Sequence, residues 1–154
     1  LRVVQQCRPE DTDKVRSTYA RMSIRAEVNS FVDDVAHQFL KSHLVIARSG
    51  ASTVAELAAV GRPSILVPYP NAKDDHQYFN ARFLSKVGGA WIINENEFTP
   101  EFLRKKLDQF LSNADSLAIA AYAAHNIGKR DAAIRLANVI EGLTVSSDGL
   151  QSEA

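Results

Sequence analysis

The sequence predicts an α/β fold in which βα units surround a parallel sheet. Three observations carry that reading. Short apolar, β-branched runs alternate with longer amphipathic ones, glycine and proline signals punctuate the joints between them, and 154 residues suffice for one domain with a real core.

The elements follow in order. A first strand is expected at 1–6 ("LRVVQQ"), a helix at 11–21, a strand at 25–29 and a helix at 32–41. The apolar run at 44–47 reads as a buried strand, and a helix at 53–60 follows it, stopped by Gly61 and Pro63. A strand at 64–67 leads into a long loop opened by Pro68, Pro70 and Asn71. A helix at 76–87, ended by Gly88 and Gly89, precedes a strand at 90–93. Helices at 100–111, near 117–127 and near 132–141 complete the series. The closing "TVSSDGLQSEA" is polar and lacks periodicity, so the domain is expected to span 1–143, with 144–154 as a fraying, disordered tail.

Composition excludes several classes of function. With 18 basic and 18 acidic residues the chain has no net field, so a broad electrostatic grip on nucleic acid is not expected and any anion must be held locally. Cys7, the single cysteine, excludes an internal disulfide and a cysteine-based zinc site, which fits a reducing compartment. The four histidines are scattered, and no metal site is expected. No run approaches the ~18 apolar residues of a membrane span, and no charged-then-apolar leader is visible. A soluble cytoplasmic protein is the simplest expectation. Leu1 opens inside an apparent strand and the only methionine is Met22, so the chain is expected to be a piece of something longer.

Ligands of open α/β sheets bind beyond the carboxyl ends of the strands, which directs attention to two loops. The first is "RSGASTVAE", Arg48 to Glu56. Gly50 permits a tight turn, the amides opening the next helix form a natural anion site, and Ser52 and Thr53 add hydroxyls. The same residues support a second reading, because Thr53-Val-Ala-Glu56 matches the capping box S/T-x-x-E and needs no ligand. The second loop is "PYPNAKDDHQYFNA". Gln77 and Asn80, three apart on one helix face, have carboxamides suited to sugar hydroxyls, unless Asp74 or Asp75 is simply an N-cap and the amides are solvated. A third candidate is "NSFVDDVA", where Phe31 and Val32 could sandwich a flat base or form a hydrophobic staple across an Asp33 or Asp34 cap. His37 and His43 read as ordinary surface or core-edge residues.

Together "SFVDDVA", "SHLVIARSGASTVAELAAVGRPSILVPYP" and "DDHQYFNARFLSKVGGAWII" resemble the C-terminal half of the MurG family of bacterial glycosyltransferases, and the resemblance runs to about Leu143. It implies a Rossmann-like parallel sheet with flanking helices, the C-terminal donor-binding domain of a GT-B glycosyltransferase, incomplete at its N-terminus. It also implies an inverting, metal-independent and cofactor-free enzyme that transfers N-acetylglucosamine from UDP-N-acetylglucosamine to lipid I, forming lipid II for peptidoglycan synthesis. By that resemblance Val32 meets the uracil through its backbone, while Ala51, Ser52, Thr53, Val54 and Ala55 line the phosphates and sugar. Glu56 holds the ribose hydroxyls, Gln77 contacts the N-acetylglucosamine, and Asn80 adds a sugar contact. The catalytic base, the acceptor site and the surface for peripheral attachment to the cytoplasmic face of the inner membrane are expected in an N-terminal domain. An alternative is a non-catalytic UDP-sugar-binding subunit that needs a separate catalytic partner.

Overall fold

The computed structural model describes residues 1–148, which fall into two compact units, Leu1–Ser42 and the described residues from His43 onward. The first contains β1 (Arg2–Gln6), α1 (Thr12–Arg21), β2 (Arg25–Asn29) and α2 (Val35–Lys41). Its two strands pair in parallel, from Arg2 opposite Arg25 to Gln6 opposite Asn29. Parallel pairing requires a crossover, which α1 supplies. Two side-chain contacts tie that crossover down: Arg16 donates to the Val28 carbonyl at 2.8 Å, and the Tyr19 hydroxyl donates to Gln5 Oε1 at 2.6 Å. Burial pushes the Tyr19 phenol up, which keeps it in its donating form.

The second unit is built on a three-stranded parallel sheet in the order β3 (Val45–Ala47), β4 (Ser64–Leu66) and β5 (Ala90–Ile92). The helices are α3 (Ala51–Val60), α4 (His76–Ser85), α5 (Pro100–Ser112), α6 (Asp115–Ile127) and α7 (Ala132–Asp148). The expected alternation and parallel pairing are present, with the strands in two sheets. α7 continues across residue 143 to Asp148, and the remainder of the expected tail lies outside the described residues.

Packing follows the pattern of a sheet covered on its faces. β4 is central and buried throughout, as parallel strands are. Ile65, Val67, Ile93 and Phe110 form one core cluster, with Trp91 packed against Phe110 of α5 at 4.6 Å between ring centroids and planes tilted by 49°. On α3 the buried residues are Val54, Leu57 and Ala58, the i, i+3, i+4 stripe of an amphipathic helix. That helix ends in a Schellman motif: Gly61 takes φ 65°, its N–H reaches the Ala58 carbonyl at 3.1 Å, and the Arg62 N–H reaches the Leu57 carbonyl at 2.9 Å. Arg130 adds a donor to the Ala59 carbonyl at 2.9 Å.

At the start of α5, the Thr99 hydroxyl accepts from the Phe102 N–H at 3.1 Å and Pro100 occupies the first helical position. Thr99→Ala is expected to cost about 1 kcal/mol of stability in urea unfolding. No change would show that this cap contributes nothing to the second unit.

Candidate functional site

Gly50, not Thr53, is the N-cap of α3, with φ −60° and ψ 151° and no side-chain cap bond. The helix therefore begins at Ala51, and Thr53 falls in its first turn instead of before it. This overturns the capping-box reading, because a box needs Thr53 in the cap position and Glu56 folded back onto it. Ser52 and Glu56 are exposed on the face opposite the buried stripe, with Thr53 half-buried at its edge.

The backbone of this turn has unused donors. The first intrahelical bond is from the Val54 N–H to the Gly50 carbonyl at 3.0 Å. The amides of Ala51, Ser52 and Thr53 precede it, and among the described residues no backbone carbonyl accepts from them. Beside them Ser49 is fully buried, and among the described residues its hydroxyl has no hydrogen-bond partner. Three free amides at the positive end of a ten-residue helix are what an anion requires. Val54 differs from its neighbours: its amide is used and its side chain is buried, so it supports the turn from the core. Ala55 is exposed one turn on.

The second loop reaches the first through α4. Asn80 Nδ2 donates to the Ser49 carbonyl at 3.1 Å, and Gln77 Oε1 accepts from the Tyr69 N–H at 3.0 Å. Both amides are half-buried and bonded, not merely solvated. Asp74 and Asp75 both adopt left-handed backbone, with φ 52° and 51°. Asp75 stands at the cap position of α4 without a side-chain bond to the helix, so neither aspartate caps as the sequence suggests. Two consecutive non-glycine residues in this region store strain immediately before the two amides.

Val32 belongs to the first unit and is half-buried, three residues before α2 begins. The expected helix start at Val32 is corrected by Asp34, whose side chain accepts from the His37 N–H at 2.9 Å and caps α2. Asp33 occupies the position where a staple needs an apolar residue, so the staple is not formed in its usual spacing.

Arg48 has no assigned role in the sequence reading, yet it organises the ends of all three strands of its sheet. It follows β3 and donates from one guanidinium nitrogen to the carbonyls of Val67 at 3.3 Å and Pro68 at 3.2 Å, beyond β4. It also pairs with Glu95, beyond β5, and lies 5.6 Å from the Tyr69 ring centroid. Its position just after a buried run was the only sequence signal; the partners are set by strand order. Among the described residues no group of three or more His, Cys, Asp or Glu side chains could hold a metal ion, and no helix is long and apolar enough to cross a membrane.

Comparison with known proteins bears on the family and the fold. The profile of the "Glycosyltransferase family 28 C-terminal domain" matches residues 1–136. The chain is 50% identical over 140 residues to the UDP-N-acetylglucosamine:N-acetylmuramyl-(pentapeptide) pyrophosphoryl-undecaprenol N-acetylglucosamine transferase of Rhodospirillum rubrum, covering 91% of this chain and 36% of that protein. It is 46% identical over 149 residues to the protein of the same name from Paramagnetospirillum magneticum, covering 97% of this chain and 40% of the relative. The chain thus spans well under half the length of these relatives. The crystal structure of Acinetobacter baumannii MurG superposes with a TM-score of 0.82 at 32% identity, over 92% of this chain and 41% of that one. A glycosyltransferase of kitacinnamycin, at TM-score 0.61 and 15% identity over 91% of this chain and 42% of its own, shares the fold alone. The matched profile takes in both units and both loops, and the chain belongs to the glycosyltransferase family 28 C-terminal domain family.

Proposed function

We propose that this chain is the donor-binding part of an inverting hexosyltransferase that moves N-acetylglucosamine from UDP-N-acetylglucosamine to the 4-hydroxyl of N-acetylmuramoyl-pentapeptide on undecaprenyl pyrophosphate. The names of the relatives support the substrates. The observation that supports the reading is the first turn of α3, whose amides at Ala51, Ser52 and Thr53 find no backbone acceptor among the described residues, one turn before an exposed Glu56. In the reaction the acceptor oxygen bonds to the anomeric carbon as the bond to the UDP oxygen breaks. Charge then grows on the leaving pyrophosphate, and preorganised amides at a helix N-terminus, equivalent to roughly half a positive charge, stabilise it.

In this reading Ala51, Ser52 and Thr53 receive the phosphates, Val54 holds that turn in place and Ala55 borders it. Glu56 accepts from the ribose hydroxyls, Gln77 and Asn80 contact the sugar, and the backbone at Val32 meets the uracil. The base that takes the hydroxyl proton, the lipid I site and the peripheral attachment to the cytoplasmic face of the inner membrane are assigned to the part of the relatives' length that this chain does not span.

Calorimetric titration of the purified chain with UDP-N-acetylglucosamine tests the reading. Glu56→Ala is expected to weaken binding by ~1.5–3 kcal/mol, about ten- to 150-fold in Kd, the scale of hydrogen bonds to a charged group. Unchanged affinity would remove Glu56 from the site, and no binding by the folded parent chain would overturn the donor-site reading.

A further inference from the structure

The two carboxamides of α4 have forced orientations. A backbone N–H only donates, so the Gln77 atom 3.0 Å from the Tyr69 nitrogen is its oxygen; a carbonyl only accepts, so the Asn80 atom 3.1 Å from the Ser49 oxygen is its nitrogen. What the protein leaves over is therefore unlike at the two positions. Gln77 retains an NH2 with two donors, whereas Asn80 retains its acceptor oxygen and a single N–H, and among the described residues these remaining groups have no partner.

The orientation of Gln77 depends on one peptide unit. The Pro68 carbonyl and the Tyr69 N–H belong to the same rigid plane. Arg48 donates to that carbonyl at 3.2 Å on one edge, and Gln77 accepts from that N–H at 3.0 Å on the other. Turning the plane breaks both bonds. Arg48 is itself restrained by the Val67 carbonyl, by Glu95 and by the Tyr69 ring.

We infer that Arg48 is a positioning residue for sugar selection: by holding the Pro68–Tyr69 peptide plane it commits Gln77 to present N–H donors, beside an acceptor on Asn80, to a donor sugar. Such a pair suits a hexose bearing an acyl carbonyl or ring oxygen for the donors and a hydroxyl for the acceptor. A bare nucleoside diphosphate gains nothing from it. The inference rests on reading the loop after β4 as the sugar contact, as proposed above.

Two variants and two readouts separate this role from a general structural one. Amide hydrogen exchange at Tyr69 needs no ligand: Arg48→Ala is expected to speed it about tenfold or more while circular dichroism stays unchanged, as for a locally released segment. Gln77→Glu keeps an acceptor for the Tyr69 N–H but removes the NH2, so protection persists. In titrations both variants are expected to lose about three- to tenfold of the preference for UDP-N-acetylglucosamine over UDP, with UDP affinity held within about twofold. Equal losses for both ligands, or unchanged Tyr69 exchange in Arg48→Ala, would overturn the positioning role. If the parent chain binds neither ligand, the donor-site reading fails and the sugar-selection role fails with it, while Tyr69 exchange still decides whether Arg48 holds the plane. Should Arg48→Ala not fold, Gln77→Glu still tests the orientation, since retained sugar preference in that variant contradicts donors on Gln77.

Discussion

Gly128→Ala is expected to destabilise the second unit by about 3 kcal/mol or more, because the methyl group has no space to enter. A Cβ built there would lie 2.2 Å from the Ala58 oxygen, 2.6 Å from the Ala58 carbonyl carbon and 2.9 Å from the Ala59 Cα. All three are backbone atoms of α3 and cannot swing aside as a side-chain tip can. The backbone at Gly128 is ordinary, φ −67° and ψ 126°, so the requirement is for closeness and not for an unusual dihedral. Relief requires α6 and α3 to separate, which opens the packing of the buried residues Leu57, Ala58, Ala120 and Ala124. Urea unfolding followed by circular dichroism measures the cost, and a loss under about 1 kcal/mol would contradict the close approach. Since α3 begins with the proposed phosphate turn, the displaced helix should also bind UDP more weakly than the parent chain.

Leu57→Ala carries the next largest effect, a loss of about 2–5 kcal/mol, the range for emptying a leucine site in a packed core. Leu57 is fully buried on α3, and its carbonyl accepts the Arg62 N–H that closes the helix. Its neighbour Glu56 is exposed, so Glu56→Ala should move stability by no more than about 0.5 kcal/mol while weakening ligand binding. Adjacent residues thus have opposite signatures, one in unfolding and one in titration. Equal stability losses at the two positions would show that Glu56 is structural and would count against its place in the donor site.

Much of this architecture is legible in short stretches. Alternating β-branched and amphipathic runs, Gly61 with Pro63 and Gly88 with Gly89 locate the elements to within a few residues, since strand period, helix period and cap chemistry are local. The start of α3 differs from the expected one for an equally local reason: Thr53-Val-Ala-Glu56 fits a capping template, but Gly50 satisfies the extended cap geometry without any side chain. Asp34 displaced the expected start of α2 because its carboxylate reaches the His37 N–H. The left-handed pair at Asp74 and Asp75 has no periodic signature at all.

The order of elements, the glycine and hydroxyl loop and the identity of the carboxamides were all written in neighbouring residues. Which atoms of Gln77 and Asn80 remain for a ligand, why Arg48 matters and why residue 128 must be glycine were decided by the tertiary structure. Each depends on groups distant in sequence that the β3, β4, β5 order and the α3 and α6 packing bring together: Arg48 with Pro68 and Glu95, Asn80 with Ser49, and Gly128 with Ala58. Local propensity acts over a helical turn or a strand pair, whereas hydrogen-bond direction and backbone clearance at these points exist only once the sheet and its helices are assembled.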